Sequence, residues 1–159
     1  MNRYRMALLS ILLCWIAPAV PASAADVAIV VHPGVPVDDL TFTDLRKIVL
    51  GDRQFWSSDL RVTLLMGTPG AREREVILRN ILQMSEAQFR QYWIGKVFRA
   101  ESAVGPKTVY STEMAVSLIN NIPGSMTFLD ADQVPNGFKV VRLGGLLPGE
   151  KGYALNLAR

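Results

Sequence analysis

The sequence predicts an α/β domain: a three-layer single lobe whose mixed, mostly parallel sheet of about 4–5 strands is flanked by helices. Three observations point to it. Val27-Ala28-Ile29-Val30-Val31 is apolar without a break and rich in β-branched residues, as in a strand covered on both faces. Helix-start residues recur between the apolar runs, at Thr41-x-x-Asp44, Ser85-x-x-Gln88 and Ser111. Strand and helix patterns alternate, with no internal repeat, low-complexity stretch or linker.

Taken in order, the Val27–Val31 strand ends at His32-Pro33-Gly34-Val35-Pro36, since proline and glycine stop a ladder; His32 reads as a turn residue. Thr41 caps a short helix with Asp44 in its first turn, Leu45, Ile48 and Val49 inward, and Gly51 at its end. Phe55-Trp56 lies in a polar loop, and Arg61–Met66 is the second strand. Thr68-Pro69-Gly70 leads into a helix over Ala71–Gln83 with Val76, Ile77 and Ile81 inward and Arg72, Glu73, Arg74 and Glu75 mostly outward. A capping box at Ser85 opens the next helix, where Phe89, Trp93 and Val97 form one apolar face and Gly95 weakens the coil slightly. Glu101–Lys107 is a loop, and Ser111–Asn121 a helix with Met114, Leu118 and Ile119 inward. After the Pro123-Gly124 turn come strands at Met126–Leu129 and Phe138–Leu143, separated by Pro135-Asn136-Gly137. Gly144–Gly152 is turn-rich, and Tyr153–Leu157 is a short strand or a tail packed on the body.

Ahead of this domain stands the pattern of a secretory signal peptide. Arg3 and Arg5 precede an apolar stretch of 12 residues, Met6–Ala17, too short to span a membrane. Pro18 and Pro21 break it, and Ala22-Ser23-Ala24 is a small-x-small cleavage site before Ala25. Of the 159 residues, 1–24 leave and a single 135-residue domain, 25–159, reaches the periplasm. Its 15 basic and 14 acidic residues nearly balance, so charge suggests no nucleic-acid partner. The lone Cys14 departs with the signal, leaving no disulfide or thiol chemistry. One histidine and no cysteine make a poor zinc set, and no nucleophile–base constellation accompanies His32. Asp38-Asp39 and Asp130 with Asp132 read as surface turns, so the sequence predicts neither metal, cofactor nor enzyme.

Three stretches in this order resemble the phosphate-type solute-binding proteins of bacterial ABC transporters. They are Leu40–Trp56 (L-T-F-T-D-L-R-K-I-V-L-G-D-R-Q-F-W), the strand and glycine turn of Arg61–Glu75, and Asn121–Asp130 (N-I-P-G-S-M-T-F-L-D). Lys139-Val140-Val141, Gly145, Pro148 and Tyr153 resemble that family's closing segment. The resemblance covers nearly all of 25–159 and corresponds to the second of the family's two lobes. It implies ligand binding at a cleft of which this chain supplies one side.

In that family the loop before the second-lobe helix carries Ser-Gly-Thr, which holds an anion at the positive end of the helix. The matching place is Thr68-Pro69-Gly70-Ala71, where glycine is kept and proline and alanine replace the hydroxyl residues. An arginine that the family carries on the preceding strand is replaced within Leu64-Leu65-Met66-Gly67. Thr68, Gly70, Ala71, Arg72 and Arg74 are therefore the expected anion site, combining free N–H groups, one hydroxyl and two guanidinium groups. Arg99, Lys107, Ser111 and Thr112 form a second polar cluster, and Trp56 either closes a site or packs. The implied function is an exported, non-enzymatic module binding phosphate or another small anion. Its partner would be a membrane permease or receptor, or a second copy completing the cleft as a homodimer. The alternative is an interaction or sensor-partner protein that has lost solute binding.

Overall fold

The computed structural model describes residues 25–156. Residues 1–24, where the signal peptide with Cys14 and its cleavage site is expected, lie outside the described residues, as do 157–159.

The chain begins with β1 (Val27–Val31), followed by β2 (Asp39–Leu40), α1 (Phe42–Val49) and β3 (Thr63–Gly67). Then come α2 (Arg72–Ile77), a π-turn (Leu78–Leu82), α3 (Glu86–Phe98), β4 (Lys107–Val109) and α4 (Thr112–Asn121). It closes with β5 (Ser125–Asp130), a 3₁₀ turn (Ala131–Gln133) and β6 (Lys139–Leu143). The strands form one six-stranded sheet in the order β2-β6-β1-β5-β3-β4. β1 is antiparallel to β5 and β6, while β2–β6, β3–β4 and β3–β5 are parallel. The sheet is mixed and mostly parallel as expected, with six strands instead of four or five because β2 and β4 are too short to leave a pattern.

Both faces of the sheet are covered. Val27, Ile29 and Val31 point into the larger core with Leu45, Ile48, Val76, Ile77, Phe89 and Trp93 from α1, α2 and α3. Ala28 and Val30 point the other way, against Ala115 and Ile119 of α4. The period of two along β1 thus feeds two apolar layers, which is why none of its residues is polar.

The caps at Thr41, Ser85 and Ser111 all form, Ser85 with the full reciprocal box to Gln88. Other helical expectations change. The continuous helix expected over Ala71–Gln83 widens into the π-turn and stops at Gln83, which has φ 56°. Arg46 donates to the carbonyls of Ile81 (2.8 Å) and Leu82 (2.9 Å), satisfying acceptors that the helix end leaves open. On α3 the buried stripe is Phe89, Trp93 and Lys96, and Val97 is exposed. Eight residues overshoot two helical turns by about 80°, whereas seven fall short by about 20°. On α4 the inward face is Ala115 and Ile119; Leu118 is half-buried and Met114 exposed. The tail is packed rather than paired as a ladder strand: Tyr153 and Leu155 are buried, and the Val27 N–H donates to the Leu155 carbonyl at 2.7 Å.

Candidate functional site

Because β3, β4 and β5 run parallel, their carboxyl ends at Gly67, Val109 and Asp130 share one edge of the sheet. The chain leaves β3 through Thr68-Pro69-Gly70 and enters α2; it leaves β4 through Tyr110 and enters α4. Both helix starts therefore stand over the same strand ends, the place where open α/β sheets gather ligands. A cavity of about 140 Å³ lies there, lined by Thr68, Ala71, Glu73, Ser111, Thr112 and Asp130 among others.

The two helix starts differ. Ser111 caps α4, its Oγ accepting from the Met114 N–H at 3.1 Å. The Glu113 carboxylate in that first turn is held below the usual glutamate range by a hydrogen bond from its own backbone N–H and by Ser111. Thr112 Oγ1 donates to Gln133 Oε1 at 2.9 Å. At α2 the cap position belongs to Ala71, which has no side-chain oxygen to offer. The first N–H groups of α2 have no partner within the helix, and Glu73 and Glu75 stand in its first turn.

The structure joins the two clusters read separately in the sequence: Thr68 and Ala71 meet Ser111 and Thr112 around one cavity. Other expected members fall elsewhere. Gly70, with φ 87°, sits at the exposed tip of the loop. Arg72 pairs with Asp130 and also donates to the Ala25 carbonyl, fastening the start of the domain to α2. Arg74, expected on an outward face, is 8% exposed. Its guanidinium binds Glu86 through Nε (2.8 Å) and Nη2 (2.6 Å), and donates through Nη1 to the Gly67 carbonyl at 3.0 Å. A charge in the first turn reads as solvent-facing until tertiary packing supplies its partner. Arg99 pairs with Glu101 at 2.5 Å, and Lys107 does not line this cavity. Trp56 packs in the core, donating through Nε1 to the Gly124 carbonyl at 2.8 Å. His32 is the turn residue expected, its Nδ1 accepting from the Gly34 N–H at 2.9 Å.

Sequence reasoning missed Glu73 and Asp130, which line the cavity, the Asp130 carboxylate being also the partner of Arg72. Asp130 ends a buried strand at its carboxyl edge, which was the one signal available. The lining contains these two acids and no lysine or arginine. It offers backbone and hydroxyl donors beside carboxylate acceptors, a set suited to an oxyanion that carries a proton of its own. Among the described residues no group of three or more His, Cys, Asp and Glu side chains could hold a metal ion, and no helix is long and apolar enough to cross a membrane.

No protein-family model matches the chain, and no curated protein matches it in sequence. Solved structures do. One is a substrate-binding protein assigned to a phosphate ABC transporter, with bound phosphate, from Clostridium perfringens. It has TM-score 0.61 and 16% identity, over 78% of this chain and 48% of that one. An ABC-type phosphate transport receptor from Vibrio cholerae gives 0.62 and 19%, over 79% and 50%. PstS from Borrelia burgdorferi gives 0.65 and 15%, over 84% and 55%. The chain spans about half the length of these structures. At such identities the likeness is one of fold: this chain has the α/β fold of one half of the phosphate-type substrate-binding proteins of ABC transporters.

Proposed function

We propose that this chain is an exported, non-enzymatic binding lobe that takes phosphate, or a related small oxyanion, at the carboxyl edge of β3, β4 and β5. The observation that carries the reading is the convergence of two helix starts, α2 and α4, on one cavity at three parallel strand ends. The likeness to one half of phosphate-binding structures supports it. The ligand oxygens would take hydrogen bonds from the uncapped N–H groups of α2 and from the Thr68 hydroxyl. Glu73 and Asp130 would accept from a ligand hydroxyl, so hydrogen phosphate binds better than sulfate, which has no proton to donate. Recognition is non-covalent. The open side of the cavity faces whatever completes the cleft, a second copy of this chain or a membrane permease or receptor.

The test is thermal unfolding of the purified protein with phosphate, sulfate and a panel of organic anions. A ligand specific for the native state stabilises by about 2.7 kcal/mol at a hundredfold excess over its dissociation constant. Phosphate should raise the transition in a concentration-dependent way, and Thr68→Val should remove much of the rise. A flat response across the panel rejects the reading and turns the search to a protein partner. Mass spectrometry of the periplasmic protein should find Ala25 at its start; residue 1 retained would reject export by cleavage.

A further inference from the structure

We infer that the chain carries a second site, for a small organic carboxylate, at the amino ends of β3 and β4, far along the strands from the cavity described above. A cavity of about 120 Å³ opens there between the start of β3, the loop after α1 and the segment leading into β4. Arg53, Arg61 and Lys107 line it, and no aspartate or glutamate does. Its charge is thus the opposite of the carboxyl-edge cavity, although the two are of similar size.

Arg61 and Lys107 are exposed and Arg53 is half-buried, so the cations ring the mouth of the cavity. Arg61 donates through Nη2 to Gln54 Oε1 at 3.1 Å, and its guanidinium lies 5.6 Å from the centre of the Phe55 ring, which fixes its plane. Arg53 is shared with Asp44, 3.5 Å away. Lys107 takes part in no ion pair among the described residues. Leu64, Val104 and the Trp93 ring give the wall an apolar part, beside Gln54, Thr63 and Ser102. The Trp93 indole N–H is buried and has no hydrogen-bond partner among the described residues. The ring carbons of Trp93 stand against Gly51 and Gly105, two further lining residues, so the indole enters the wall through its apolar ring.

A planar carboxylate matches the guanidinium fork, and an apolar body matches the indole wall. The volume is near that of a roughly 150 Å³ cavity that accepts benzene. A carboxylate on a ring or short chain meets all three constraints. This site does not depend on the phosphate reading, since it shares no lining residue with the other cavity.

The experiment follows the indole N–H resonances of Trp93 and Trp56 by ¹⁵N-correlated NMR while benzoate is added, with benzyl alcohol as the uncharged counterpart. The Trp93 resonance, assigned through Trp93→Phe, should shift saturably, with the Trp56 resonance fixed. Arg61→Gln plus Lys107→Gln should melt like the parent protein and weaken benzoate by about tenfold or more. Glu73→Gln, at the other cavity, should leave benzoate affinity unchanged. A Trp93 resonance unmoved by saturating benzoate would overturn the inference. So would benzyl alcohol binding as tightly as benzoate, or a folded double variant with parental affinity.

Discussion

Arg74→Ala should unfold the domain more easily by about 3 kcal/mol, because the residue holds the floor of the carboxyl-edge cavity in place. The figure follows from what the guanidinium touches. Removing one partner of a buried ion pair costs about 3–5 kcal/mol. Here the Glu86 side chain is 34% exposed, so the abandoned carboxylate regains water and the loss falls below that range. The Gly67 carbonyl also loses its donor, at about 1–3 kcal/mol for a buried acceptor. The stacking of Arg74 over Phe89, 5.3 Å to the ring centre, goes too. Against these stands one relief: a cation in the first turn of α2 opposes the helix dipole, worth about 0.3–1 kcal/mol. At roughly 2.1 cal/mol/K of unfolding entropy per residue, 3 kcal/mol corresponds to a fall of about 10 °C in the melting temperature. Urea unfolding measures it directly, and the denaturant slope should stay constant if only stability changes. Glu86→Gln completes a double-mutant cycle. A loss under about 1 kcal/mol, or single-mutant costs that simply add, would refute the view that this pair anchors α2 to β3 and α3.

Glu73→Gln removes one of the two acids from the carboxyl-edge cavity and, on the proposed function, should tighten binding of fully ionised oxyanions, narrowing the preference for phosphate over sulfate in calorimetry. Gly124→Ala should destabilise by about 2 kcal/mol or more in urea, since Gly124 has φ 76° and an added Cβ would run into the Arg61 carbonyl oxygen. Thr41→Val tests the cap of α1. The Asp44 carboxyl is held below its ordinary value of 3.8, first by the Thr41 hydroxyl and further by Arg53. A depressed carboxyl stabilises the fold above its unfolded value, and that contribution disappears as pH falls through the folded one. The variant should therefore raise the Asp44 titration midpoint toward 3.8 in carbon-detected NMR and flatten the acid limb of the stability profile.

Much of the fold was legible because its elements carry local marks. The uninterrupted Val27–Val31 run could belong only to a strand with apolar matter on both sides, and the hydroxyl caps fixed three of the helix starts. β2 and β4 were not legible, since two or three residues show no period and exist only through pairing with β6 and β3. The π-turn was hidden because Leu78, Ile81 and Leu82 satisfy a helical period whether the coil is regular or widened. At the site, Thr68 and Thr112 were read in two separate clusters, each beside its own helix start. Their meeting depends on the parallel pairing of β3 with β4, which brings Met66 opposite Thr108 and Gly67 opposite Val109. Arg74 was misread for the complementary reason: its partner Glu86 lies beyond a turn whose direction the sequence does not encode.

The position of β1 has a consequence for how the protein comes into being. β1 lies in the middle of the sheet, and the strands that pair with it, β5 and β6, are made late. Val31 meets Met126, Val30 meets Val140, and the Val27 carbonyl waits for the Tyr153 hydroxyl at 2.8 Å. Closing contacts so distant in sequence slows folding. A half-synthesised chain therefore has no way to assemble its sheet, and the nascent polypeptide stays threadable until its last segment is released. Under the proposed export, this order of strands would act as a timer written into the topology: the domain would set only after its closing segment had crossed the membrane.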